Sequence, residues 1–157
     1  MSRLQLVKNF LFGTKRRGLT VKTVLLAAYA RFCIWRFPGS ALHRLLGERG
    51  KESAKEEVTE WAGRRNLCFV SDKVARVARR VPWESQCLVQ AMVAQRLLRG
   101  YGLPSTLYLG VGRDRETKKM VAHAWVRCGI HFVCGGDGSG YAVVATFRMG
   151  SKGGRMD

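Results

Sequence analysis

The chain has 157 residues, in which 28 Lys and Arg stand against 11 Asp and Glu for a net charge of +17. That length suits one domain with a small appendage, and a composition of 46% hydrophobic and 25% charged residues excludes a disordered chain. No stretch reaches the roughly 18 uncharged apolar residues of a membrane span; the longest apolar cluster, Val21 to Phe37, is broken by Lys22, Arg31 and Arg36 and lacks a signal-peptide cleavage pattern.

Cys33, Cys68, Cys87, Cys128 and Cys134 form an odd set without framework spacing, so a reducing, cytoplasmic setting is expected rather than a disulfide scaffold. The charge is uneven. Residues 1–80 hold 18 basic and 6 acidic side chains, and residues 81–157 hold 10 and 5. A field of that sign favours an anionic partner, whether nucleic acid, anionic lipid or an acidic protein or peptide.

In chain order, a short amphipathic entry ends in Lys15-Arg16-Arg17-Gly18. Val21, Val24, Leu25, Ala28, Phe32 and Trp35 then recur at helical spacing, which predicts a helix burying that face. Pro38-Gly39 stops it, and a second helix is expected over Ser40 to Leu46. Ser53-Ala54-Lys55-Glu56 reads as a capping box opening a helix through Trp61. Ser71 or Asp72 caps another, with Val74, Val77 and Ala78 inward and Arg76, Arg79 and Arg80 outward.

The texture then changes. A helix is expected over Gln86 to Arg99, with Leu88, Ala91, Met92, Gln95 and Leu98 inward, ended by Gly100, Gly102 and Pro104. Strands follow over 105–112, 120–126, 130–133 and 141–147, joined by a polar turn, by Cys128-Gly129 and by the glycine-rich loop 135–140. The segment from Arg148 onward reads as a poorly ordered tail. Helices followed by an antiparallel meander make an α+β protein rather than a βαβ one. The organisation expected is a basic helical region over 1–80 packing on a core over 81–148, with a flexible tail over 149–157.

Cys87 sits in the first turn of a predicted helix, where free N–H groups and the positive dipole end favour a thiolate and can hold an oxyanion. Nucleophilic chemistry there needs a histidine supplied from elsewhere in the fold. His123 lies within Val121-Ala122-His123-Ala124-Trp125-Val126, amid apolar residues. Taken singly, Cys87 reads as well as a small buried hydrophobe, and His123 as a hydrogen-bonded core histidine. Cys128-x2-His131-x2-Cys134 has a metal-like look, but on a strand the middle residue points away from the other two, so no metal is expected. No phosphate-binding loop occurs, and no cofactor is implied.

A nucleophile at a helix start followed by a histidine on the next sheet is the order of papain-like and transglutaminase-like enzymes. The segments Ser85-Gln86-Cys87-Leu88-Val89-Gln90-Ala91, Leu97 to Pro104, Leu109-Gly110-Val111 and Ala122-His123-Ala124-Trp125-Val126 resemble the stand-alone transglutaminase-like leader peptidases of lasso peptide biosynthesis, related to the C-terminal part of the microcin-processing protein. The similarity covers about Pro82 to Phe147, with a looser likeness over Thr20 to Arg49. It implies a cysteine protease core with an antiparallel sheet. It implies cleavage of a precursor leader peptide, commonly after a leader with threonine second from its end. A separate leader-recognition protein would deliver the precursor, and a lasso cyclase would follow.

By the same resemblance Cys87 is the nucleophile and His123 the general base and acid. The family's aspartate falls near Gly135 here, and the nearest acid, Asp137, is the candidate third member. The competing reading is a basic nucleic-acid-binding or anionic-partner-binding module without catalytic activity. The sequence carries no nucleic-acid-binding signature, so no nucleic acid is expected as partner. Docking of the basic half on an acidic partner or a membrane surface is compatible with the peptidase reading.

Overall fold

The computed structural model describes residues 17–36, 44–55, 61–80 and 87–151. Within these, three helices (α1, Arg17–Arg36; α2, Trp61–Arg80; α3, Cys87–Gly100) surround one face of a five-stranded sheet. The strands are β1 (Glu48–Arg49), β2 (Ser105–Arg113), β3 (Met120–Cys128), β4 (His131–Cys134) and β5 (Ala142–Met149). All neighbours are antiparallel, in the order β1-β5-β2-β3-β4. The α+β class therefore holds. The meander does not: β5 returns past β3 and β4 to pair with β2, aligning Leu107 with Phe147 and Ser105 with Met149. The strand also runs beyond its expected end, and Met149 is buried.

α3 is the central element. Val89, Ala91, Met92, Val93, Ala94, Gln95, Leu97 and Leu98 are all buried, because the helix is covered by the sheet on one side and by α1 and α2 on others. A one-faced pattern for it was too narrow. α2 is one continuous helix. Ser71 and Asp72 do not start a new one; Asp72 pairs with Arg76 at 3.6 Å along the helix surface. Leu67, Val70, Val74 and Val77 form its buried stripe. The expected helix over 40–46 is described only at 44–46, which is helical.

The Ser53 capping box is not a helix start. Ser53 is buried in an extended segment, where its N–H donates to Thr106 Oγ1 at 2.7 Å and the two hydroxyls meet at 2.9 Å; residues 56–60 lie outside the described set.

α1 forms where the apolar spacing predicts, but it turns the other way. Thr23, Ala27, Ala30 and Cys33 face the core, while Leu25 is 63% and Trp35 81% exposed, with Val21, Tyr29 and Phe32 also outward. Large and small residues repeat with the same helical period. The small set lets α1 lie close against the other helices, and the bulky set is left open.

Strand alternation divides the sheet. Leu107, Ala124, Val126, Cys128 and Phe147 belong to the helical core. The other face carries Thr106, Tyr108, His123, Trp125 and Arg127, covered by the segment around Glu52 and Ser53. Arg127 is only 6% exposed. Its Nε donates to Tyr108 Oη at 2.8 Å, Nη1 to the Gly129 carbonyl at 2.6 Å, and Nη2 to Glu52 Oε2 and the Ser53 carbonyl, both at 3.0 Å.

Arg127→Ala should destabilise the fold by about 3 kcal/mol, because it strands several buried acceptors. Glu52→Gln should cost less than about 1 kcal/mol, since that carboxylate is half in water. Urea denaturation of the two variants separates the contributions; equal losses would make the ion pair, not the backbone carbonyls, the main one.

Candidate active site

Cys87 is the first residue of α3, half-buried, with no acidic residue in the helix's first turn. The first-turn N–H groups of a helix suit a sulfur anion or a developing oxyanion. Of the other cysteines, Cys33 and Cys128 are buried and Cys68 is exposed on α2. Cys128 donates its thiol to the Pro104 carbonyl at 3.0 Å, and His131 faces a cleft of about 380 Å³ between α2 and β4, so Cys128, His131 and Cys134 do not converge.

Cys134, at the end of β4, packs on the same core as Cys87. Burial pushes its thiol up to about 12; a hydrogen bond with the Val126 backbone opposes this, and the electrostatic interaction with Cys87 adds to it.

His123 reaches the same strand end. Its Nε2 meets the carbonyl oxygen of Gly135, the residue after Cys134, at 2.7 Å. The ring is flanked by Tyr141 (4.7 Å between centroids) and Trp125 (5.9 Å). Trp125 in turn stacks on Tyr108 at 5.5 Å, nearly parallel.

The glycine-rich loop is part of this packing. A Cβ at Gly110 or Gly138 would enter the Trp125 indole. Gly135 has a φ of +78°, and a Cβ there would meet the Ala124 carbonyl and the Trp125 backbone. Trp125 thus fills a slot built of glycines, a role the sequence reading, which took 135–140 as a flexible loop, did not contain.

The three residues singled out from sequence are not joined by hydrogen bonds. His123 shares its face of the sheet with Trp125, whereas Cys87 packs on the helical face. Asp137 is exposed, and its Oδ1 accepts the Ser139 N–H at 2.9 Å. That bond within its own turn, first with the backbone and then with the side chain of Ser139, holds the carboxyl below its usual range. The hydrogen bond expected between Asp137 and His123 is absent; the ring's partner is Gly135.

Residues 26–146 match the model of the transglutaminase-like superfamily, a span that contains α3, the whole of β2 to β4 and most of α1 and β5; the chain belongs to that superfamily. No curated protein and no solved structure matches it.

The Cys134 thiol ionises far above the ordinary cysteine range, so Cys68 and Cys87 should be alkylated by iodoacetamide at pH 8 well before Cys134, as read by peptide mass spectrometry. A folded-state value raised to about 12 also fixes a sign: the stability from keeping this thiol neutral is complete below the unfolded cysteine value and declines as pH rises from there toward 12. A Cys134→Ala variant should lose that alkaline decline in a pH series of thermal melts.

Proposed function

We propose that this member of the transglutaminase-like superfamily is a cysteine peptidase that removes the leader from a ribosomally made lasso precursor peptide. The observation that carries the reading is Cys87, a partly accessible thiol opening the central helix of a transglutaminase-like core. The motif likeness around Cys87 and His123 supports the narrower substrate class.

Chemically, the Cys87 thiolate attacks the carbonyl of the leader's last residue while first-turn N–H groups hold the oxyanion. The imidazolium of His123 protonates the departing amine, and water, deprotonated by the same ring, cleaves the thioester. The released N-terminal amine is the group that a separate cyclase joins to an acidic side chain. With Nε2 committed to Gly135, Nδ1 is the ring nitrogen left for the thiol. The reaction needs Nδ1 and Sγ within hydrogen-bond reach.

In mass spectrometry of a precursor incubated with this chain and its delivery protein, Cys87→Ala and His123→Ala should each reduce cleavage by at least about a hundredfold, with circular dichroism unchanged. Release of the core peptide by Cys87→Ala at the wild-type rate would sink the proposal.

The same reading gives the open face of α1 an occupant. The helix carries Lys22, Arg31 and Arg36 and no acid, around outward Val21, Leu25, Tyr29, Phe32 and Trp35. We place the leader-recognition protein there, through an apolar patch rimmed by carboxylates. Leu25→Asp combined with Phe32→Asp should abolish co-elution with that protein and the stimulation it gives, while leaving the melting temperature near wild type. Unchanged co-elution overturns the placement. So does wild-type sedimentation with vesicles of anionic lipid that the double variant loses, which would make the face a membrane surface.

A further inference from the structure

We propose that the backbone carbonyl of Gly135, not a carboxylate, is the group that orients the His123 imidazole. For its meaning in catalysis this rests on the peptidase reading; the hydrogen bond itself does not.

A carbonyl oxygen only accepts, so at 2.7 Å the proton of the neutral ring must sit on Nε2 and Nδ1 must carry the lone pair. The local backbone is built for this contact. Gly135 sits at φ +78°, pressed so closely on Ala124 and Trp125 that any Cβ would collide with them. A side-chain acid at position 135 is therefore excluded by the same packing that turns the carbonyl toward His123. Tyr141 and Trp125 flank the ring and limit its rotation, and Trp125 is held by Gly110 and Gly138.

The nearest acid in sequence is engaged elsewhere. Asp137 faces water and accepts the Ser139 N–H within a tight turn. Gly135 is thus a positioning residue acting through its main chain. A neutral acceptor fixes tautomer and ring angle as a carboxylate does, but gives an imidazolium less electrostatic support.

The test uses the full chain labelled with 15N-histidine, with the His123 signals assigned by their loss in His123→Gln. In alkaline solution, where the ring is neutral, Nε2 should show the shift of a protonated nitrogen and Nδ1 that of an unprotonated one. Asp137→Asn should leave both shifts in place and leave precursor cleavage within about twofold of wild type, against the roughly 10⁴-fold loss that follows neutralising a true triad carboxylate. A ring protonated on Nδ1, a tautomer that moves in Asp137→Asn, or a cleavage loss of a hundredfold or more in that variant each overturns the assignment. If the tautomer is as stated and Cys87→Ala still cleaves, the peptidase reading has failed and the orientation of His123 by Gly135 stands.

Discussion

A buried guanidinium organises the face of the sheet on which His123 lies. Burying the Arg127 guanidinium is costly unless its donors find partners, and the partners come from groups far apart in sequence: Glu52, Ser53, Tyr108 and Gly129. Satisfying them draws the segment 50–55 across the sheet and fixes the Tyr108 hydroxyl, which donates to Glu52 at 2.7 Å. The Tyr108 ring then sets the plane on which Trp125 stacks, and Trp125 and Tyr141 flank His123. The geometry of one imidazole thus depends on an arginine four residues along its own strand, on the same face. The network hinges on its buried member, because removing Arg127 leaves its acceptors buried and unpaired, whereas Glu52 is half in water.

The opposite face is built by ordinary apolar packing. α3 is enclosed by the sheet, α1 and α2, and its start carries Cys87 to the edge of the core. At the end of β4, adjacent residues serve the two layers: Cys134 packs against the core and Gly135 turns its carbonyl toward His123. No helix among the described residues is long and apolar enough to cross a membrane.

Much of this was legible in the residues. The strands expected over 105–112 and 120–126, which form as Ser105–Arg113 and Met120–Cys128, the turn at Gly129, a helix with Cys87 in its first turn and the α+β class all follow from local alternation, helical spacing and glycine positions. These are short-range properties, set by which side chains recur every second or every third to fourth residue. Orientation was less legible. α1 reads as amphipathic with its bulky stripe inward, and the molecule uses the small stripe of Thr23, Ala27, Ala30 and Cys33 instead. Ser53 reads as a helix cap and is a sheet-covering hydrogen-bond partner of Thr106. In both cases the local pattern has two solutions, and distant packing selects one.

By itself, the sequence determined the secondary structure of the core, the placing of Cys87 at a helix start and of His123 inside a strand, and the concentration of positive charge in the first half. The tertiary structure alone decided the return of β5 to pair with β2, the exposure of the large residues of α1 and the partner of the His123 ring. The physical reason is the same for all three. Each depends on contacts between segments far apart in the chain, and a backbone carbonyl such as that of Gly135 has no side-chain identity from which its role could be read.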